Sequence, residues 1–422
     1  MASARIEGGR SQWQLFLIIY IAAVLVRLLA IYIISWNRGA HFENMQIATY
    51  IIDGKGYWWD WDHTIPPQPT ALLPPIYTYF LVLFLKLFNN PFRLIYVVQG
   101  FINALGIFPS YYIGRHLGDR KAGIIAAIFY AIFPEVAVTP TKLISEPLFV
   151  PFIMLGFYLF LHFKEKLKYQ HTAVGFFSLG LLMGIASLIK TTGSLIVLAF
   201  FLSLILVRRS RKSHFIAALI LGMGFFLALS PWLIRNYIVF KKPVMIASNF
   251  GYNLWRGNHP WGSGTEYLDP ENLSESKLSA EYIAYLQANR PQTEIELDKF
   301  YMQEALKFIK QDPERYAWLT LKRIIFFLTI DPTHPLTRNI VYIGGYILVL
   351  IFGIWGGAML KKSGKLDKVF IIAPLMFFCF YTPVVIVPRF RLVAILILLM
   401  FSALPVAAWL SKVKYFDRLI GT

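Results

Sequence analysis

Long apolar runs alternate with short polar breaks along most of the chain, and the run lengths limit what they can form. Runs of roughly 17 to 25 residues, at about 1.5 Å rise per residue, are long enough to cross a hydrocarbon core of about 30 Å as helices. The period-two alternation of barrel strands is not seen. The pattern predicts an all-α integral membrane protein with about ten transmembrane helices, near 13–35, 93–114, 121–138, 147–163, 172–190, 194–207, 214–231, 339–360, 368–387 and 391–411. Three blocks follow: an N-terminal transmembrane module (1–231) with an outer loop at 36–92 carrying interfacial helices, an outer-face region (232–338), and C-terminal helices (339–422).

The segment 71–88, ALLPPIYTYFLVLFLKLF, is apolar yet ambiguous. Basic clusters between the spans decide it. They are Arg115, Arg120 and Lys121; Lys164, Lys166 and Lys168; Arg208, Arg209, Arg211 and Lys212; Lys361, Lys362, Lys365 and Lys368; and Lys412, Lys414 and Arg418. The positive-inside preference puts all of them, with the basic N-terminus, on the cytoplasmic side. That holds only when 71–88 lies in or dips into the outer interface, as Pro74, Pro75 and Lys86 permit. Both termini are then cytoplasmic. The run from Leu15 to Ile34 is too long for a signal-peptide core and reads as a retained first span.

Composition agrees: 57% of residues are hydrophobic and 15% charged, which excludes a soluble domain. The net charge of +18 is spread over the inter-span clusters rather than one folded face, so nucleic acid is not expected as a partner. The single cysteine, Cys379, excludes a disulfide framework. In the second outer segment, Thr293 and Glu296 form a capping-box pattern before an amphipathic run that stops at Asp312-Pro313, where Pro starts another helix. That next helix carries Lys322 and Arg323 among aromatics and is expected at the outer membrane surface.

Candidate chemistry gathers on the outer side. Glu43 opens a helical pattern (Phe42, Met45, Ile47, Ala48, Ile51) that ends at Gly54-Lys55-Gly56. It reads either as a general base held at a helix N-terminus or as a solvated capping acid. Glu146 precedes Pro147 at the start of a span, facing a cavity or paired with Lys142. Lys190, Arg235, Arg389 and Arg391 end or begin spans on the side opposite the basic clusters; they suit a lipid-attached phosphate, or they anchor by snorkelling. Trp58, Trp59 and Trp61 fit a membrane-interface belt or a sugar-stacking face. His41, Asp60, Asp62 and His63 are substrate or metal candidates without an established spacing, so a divalent ion is the one cofactor left open. No P-loop, Rossmann fingerprint, HExxH or GxSxG motif is present.

In this order and spacing, FENMQIATYIIDGKGY, LLPPIYTYFLVLFLKLF, GRHLGDRKAGIIAAIFYAIFP, LISEPLF, SPWLIRNYIVFKKPV, GYNLWRGNHPWGSG, KFIKQDPERY and PRFRLVAIL resemble the GT-C glycosyltransferases. The likeness is to the dolichyl-phosphate-mannose protein mannosyltransferase-like and aminoarabinose-transferase-like group, and it runs over nearly the whole chain. It implies inverting transfer of a sugar from a polyprenyl-phosphate donor to a lipid, glycan or protein hydroxyl, on the extracytoplasmic face of a plasma or inner membrane. Glu43 then stands where the family's base does, Glu146 where its second carboxylate does, and Lys142, Lys190, Arg235, Arg389 and Arg391 become donor-phosphate candidates. Arg256, Asn258 and His259 join the substrate or metal candidates. The chain departs from the family where Asn44 follows Glu43 in place of a second acid, and where Leu73 replaces a lysine before the paired prolines. A transporter or flippase of lipid-linked sugars is the alternative, although such proteins tend to show repeated halves that are not found here. A non-catalytic subunit that kept the fold is a third reading.

Overall fold

The computed structural model describes residues 2–35, 43–60, 66–167, 172–206, 211–265, 279–332 and 335–412. Trp61, Lys168, Arg208, Arg209, Lys414 and Arg418, singled out above, lie outside them.

Helix α1 (Ala2–Ile34) leads to α2 (Glu43–Ile52), and a two-stranded hairpin, β1 (Trp58–Trp59) with β2 (Gln68–Pro69), packs beside α2. Next come α3 (Pro75–Leu87), α4 (Phe92–Ala104), α5 (Ile107–Leu117), α6 (Arg120–Ile132), the short α7 (Pro134–Ala137) and α8 (Glu146–Lys166). Helices α9 (Ala173–Ile189), α10 (Gly193–Ile205) and α11 (Arg211–Phe240) complete the first bundle. The second outer segment folds into α12 (Phe250–Asn258), α13 (Ala280–Asn289), α14 (Glu294–Gln311) and α15 (Pro313–Leu328). Three apolar helices follow: α16 (Ile340–Lys362), α17 (Val369–Tyr381) and α18 (Leu392–Leu410).

Among the described residues, six helical spans are long and apolar enough to cross a membrane, α4 and α5 forming one of them, or seven if α6 and α7 count as one bent span. The other three of the ten expected spans are α9, α10 and α17, helices of 17, 13 and 13 residues, shorter than the membrane-length criterion. The expected span at 121–138 is not straight: it bends by 53° between α6 and α7. Pro134 is the cause, since it has no N–H for the Tyr130 carbonyl one turn back. Arg27 of α1 supplies the missing donors. Its guanidinium, fully buried, donates to the carbonyls of Ala131 (2.9 Å) and Tyr130 (3.5 Å) and to Asn103 Oδ1 (2.7 Å). Close packing elsewhere depends on missing side chains. A methyl group on Gly180 of α9 would lie 2.2 Å from the Leu221 carbonyl, and one on Gly224 of α11 would lie 2.2 Å from the Phe177 carbonyl.

The two outer segments are stitched to one another. Glu294, buried in the first turn of α14, accepts from the Ala71 amide (2.7 Å) and from the Thr70 and Ser248 hydroxyls. Burial pushes its carboxyl above the usual range, with these three donors pulling the other way. Asp312 caps α15 by accepting from the Arg315 amide, as its place before Pro313 predicts. Thr293 is the residue before α14, but its hydroxyl donates to the Glu296 carboxylate (2.9 Å) instead of accepting from the helix backbone. Arg323 differs from the membrane-surface expectation. It is fully buried and donates to the carbonyls of Thr382 (2.9 Å) and Gly257 (3.0 Å) and to Asn258 Oδ1 (2.6 Å), so it ties α15 to α12 and to the segment after α17.

The basic ends meet at the other end of the bundle. Lys164 near the end of α8 pairs with Asp367 (2.8 Å) before α17, Lys368 donates to the Leu206 carbonyl (2.6 Å), and Lys121 donates to Ser411 (3.3 Å). Glu146 begins the same helix α8 that Lys164 nearly ends, so the outer candidates and these lysines sit a helix length apart.

Candidate active site

A cavity of about 960 Å³ opens where α2, the α7–α8 junction, the α9–α10 turn, α12 and the segment between α17 and α18 converge. Among the described residues, four cations (Lys142, Lys190, Arg256, Arg389) and three carboxylates (Glu43, Glu135, Glu146) line it.

Glu43 is the first residue of α2, is exposed, and has no hydrogen-bond partner among the described residues. The helix behind it is fixed on both sides. Asn44 Oδ1 accepts from Thr78 of α3 (2.9 Å), whose hydroxyl also meets the Tyr57 hydroxyl (3.0 Å). Trp59 Nε1 donates to Gln46 (2.6 Å), and Gln46 in turn donates to Asp60. Gly54 (φ 78°) and Gly56 (φ 94°) close the helix in the left-handed conformation that favours glycine, as the sequence pattern predicts. Asp60 therefore orients α2, and Trp59 is buried in the cavity wall with its indole N–H engaged.

Glu146 occupies the first turn of α8, where Pro147 fits because its missing N–H would be unpaired anyway. It is 2% exposed, hydrogen-bonds Lys190, and has Arg389 Nε at 4.0 Å. Lys190 reaches it from the end of α9, and Arg389 from the turn Pro388–Arg391. These are the partners the structure gives Glu146, where the sequence suggested Lys142. Two cations converge on one buried carboxylate, and two more, Lys142 and Arg256, line the same wall.

The family model for dolichyl-phosphate-mannose-protein mannosyltransferases matches residues 73–234, which carry α3 to most of α11 and nearly half of this wall. Among solved structures, the oligosaccharyltransferase AglB of Archaeoglobus fulgidus, in complex with an inhibitory peptide and a dolichol-phosphate, aligns over 96% of this chain and 51% of its own at 14% identity and TM-score 0.59. The chain has the GT-C fold. The apo form of the same archaeal enzyme matches at 14% identity and TM-score 0.58, and its complex with Zn and sulfate at 15% and 0.57, covering 96% of this chain and 51% of theirs. The chain thus spans about half the length of the structures it matches. No curated protein matches its sequence.

The GT-C fold separates the remaining candidates. Arg235 of α11 is not in the cavity wall: it donates to the carbonyls of Thr70 (2.7 Å) and Tyr57 (3.2 Å) and lies over the Trp232 ring (4.8 Å), fixing the hairpin. Arg391 is buried behind the wall, donating to the carbonyls of Thr329 and Phe326 (3.3 Å) and to the Tyr342 hydroxyl (3.1 Å). Asn258 is consumed by Leu254, Val384 and Arg323. His259 stacks on Trp255 at 5.0 Å; burial, then Arg315 and Arg256, depress its pKa to about 4 and leave the ring neutral. His41, Asp62 and His63 lie outside the described residues. Among those described, no three His, Cys, Asp or Glu side chains come together as a metal site. The residue that sequence reasoning missed is Glu135. Its signal was a lone carboxylate inside an apolar run.

Proposed function

We propose that this chain transfers a sugar from a polyprenyl-phosphate-linked donor to an acceptor hydroxyl, with inversion, on the outer face of the membrane. One observation carries the reading: Glu43, a carboxylate at a helix N-terminus without a hydrogen-bond partner among the described residues, shares a cavity with the cation pair Lys190–Arg389. The family match to mannosyltransferases of the dolichyl-phosphate-mannose type and the dolichol-phosphate bound by the archaeal neighbour support a lipid phosphate as the donor's leaving group.

In this scheme Glu43 takes the proton of the acceptor hydroxyl. That oxygen forms a bond to the anomeric carbon as the bond from that carbon to the phosphate oxygen breaks. The electron pair leaves with the phosphate, whose growing charge Lys190 and Arg389 stabilise, aided by Lys142 and Arg256. Glu146 holds the two cations in place before the donor arrives. The acceptor is a lipid, glycan or protein hydroxyl.

Glu43→Gln is expected to fold, to keep binding polyprenyl phosphate, and to lose about 10² to 10⁴ in transfer rate. Transfer at the wild-type rate by a well-folded variant overturns Glu43 as the base. Mass spectrometry of lipid that copurifies with the protein tests the donor class directly. Copurified polyprenyl phosphate supports it, and its absence from protein that also fails to bind the added lipid removes it.

A further inference from the structure

One polar group of the cavity is left without an account. Glu135 lies on α7, immediately after the Pro134 bend, and shares the wall with Lys142 and Glu146. It is 8% exposed, and neither carboxylate oxygen has a hydrogen-bond partner among the described residues. A carboxylate kept only for packing is ordinarily paired, because an unpaired buried charge is strongly destabilising. Glu146, on the same wall, is paired with Lys190. The cation that acts most on Glu135 is Arg391, and they form no ion pair within 4 Å. Arg391 spends Nη1 and Nη2 on Thr329, Phe326 and Tyr342 and does not line the cavity.

A bare acceptor in the wall matches a group that donates. A sugar hydroxyl donates; a phosphate oxygen accepts only and is repelled by the carboxylate, and a polyprenyl tail does neither. A sugar bonded to a phosphate at Lys190 and Arg389 has to lie in this cavity. We propose that Glu135 recognises a hydroxyl of the donor's sugar and so sets which sugar is transferred. The inference rests on the donor-phosphate reading above.

Binding of bare polyprenyl phosphate and of its mannosyl, glucosyl and galactosyl conjugates to the full-length protein in detergent separates the two. The wild type is expected to bind the bare lipid, and at least one conjugate more tightly. Glu135→Gln is expected to shrink that preference by about tenfold while leaving bare-lipid affinity unchanged. An unchanged preference in the variant overturns the role of Glu135, as does a wild type that binds all four lipids alike. Equal loss of bare-lipid binding in the variant also overturns it, since Glu135 would then maintain the cavity as a whole. A wild type that binds none of the four overturns the donor reading beneath it.

Discussion

At His259 the chain offers an imidazole between Asn258 and Pro260, and the fold uses it as an aromatic ring. With the folded pKa near 4 against 6.5 for a free side chain, the unfolded chain binds more protons between those values. Its contribution is complete above about pH 6.5 and is lost as the pH falls toward 4, reaching about 3 kcal/mol at the low end. Thermal unfolding in detergent at pH 7 and pH 5 is expected to show a lower Tm at pH 5, and His259→Gln to remove part of that drop. An identical drop in the variant assigns the sensitivity to other groups. Single residues were unevenly legible in the sequence. Glu43 and Glu146 stood out because they flank apolar runs, and a carboxylate at a span boundary has few bland explanations. Glu135 was hidden because a span was read by its average character, in which one acid counts for little. Arg235 and Arg391 stood out as cations on the wrong side for topology, but a long guanidinium can face a cavity or turn back to backbone carbonyls, and only three-dimensional packing decides between them.

Helix α2 shows what an element adds to its residues. Its start and end were legible from Glu43 and from Gly54-Lys55-Gly56, yet its anchors, Thr78, Trp59 and Asp60, come from other elements and leave no periodic trace. The bend at Pro134 was equally hidden, since the apolar run continues across it. Arg235 holds the hairpin that supports α2, and so acts on Glu43 from a distance. Arg235→Ala is therefore expected to lower the Tm and the transfer rate while changing polyprenyl phosphate affinity little. A large loss of that affinity with the Tm unchanged would return Arg235 to the phosphate site. The second outer segment was half legible: the Asp312-Pro313 boundary followed from chemistry, whereas α12 is short and polar on average and α13 has little apolar periodicity, so neither is read before it packs.

For the whole molecule, the basic clusters foretold a division between two ends, and Lys164, Lys121 and Lys368 meet far from the cavity. On the proposed reading, the positive-inside preference predicts a cavity that faces outward. A cysteine at exposed Ala288 of α13, in a Cys379→Ser background, is expected to react with a membrane-impermeant maleimide in intact cells; reaction only after permeabilisation reverses the orientation. Order of synthesis bears on Arg27 as well. A guanidinium in the middle of the first span costs about 2.5 to 3.5 kcal/mol at the bilayer centre, and its partners at Tyr130 and Ala131 are made a hundred residues later. Until they emerge, the nascent first helix is a poor solute for lipid, which makes its release from the insertion machinery conditional on the arrival of the proline-broken helix that it will complete.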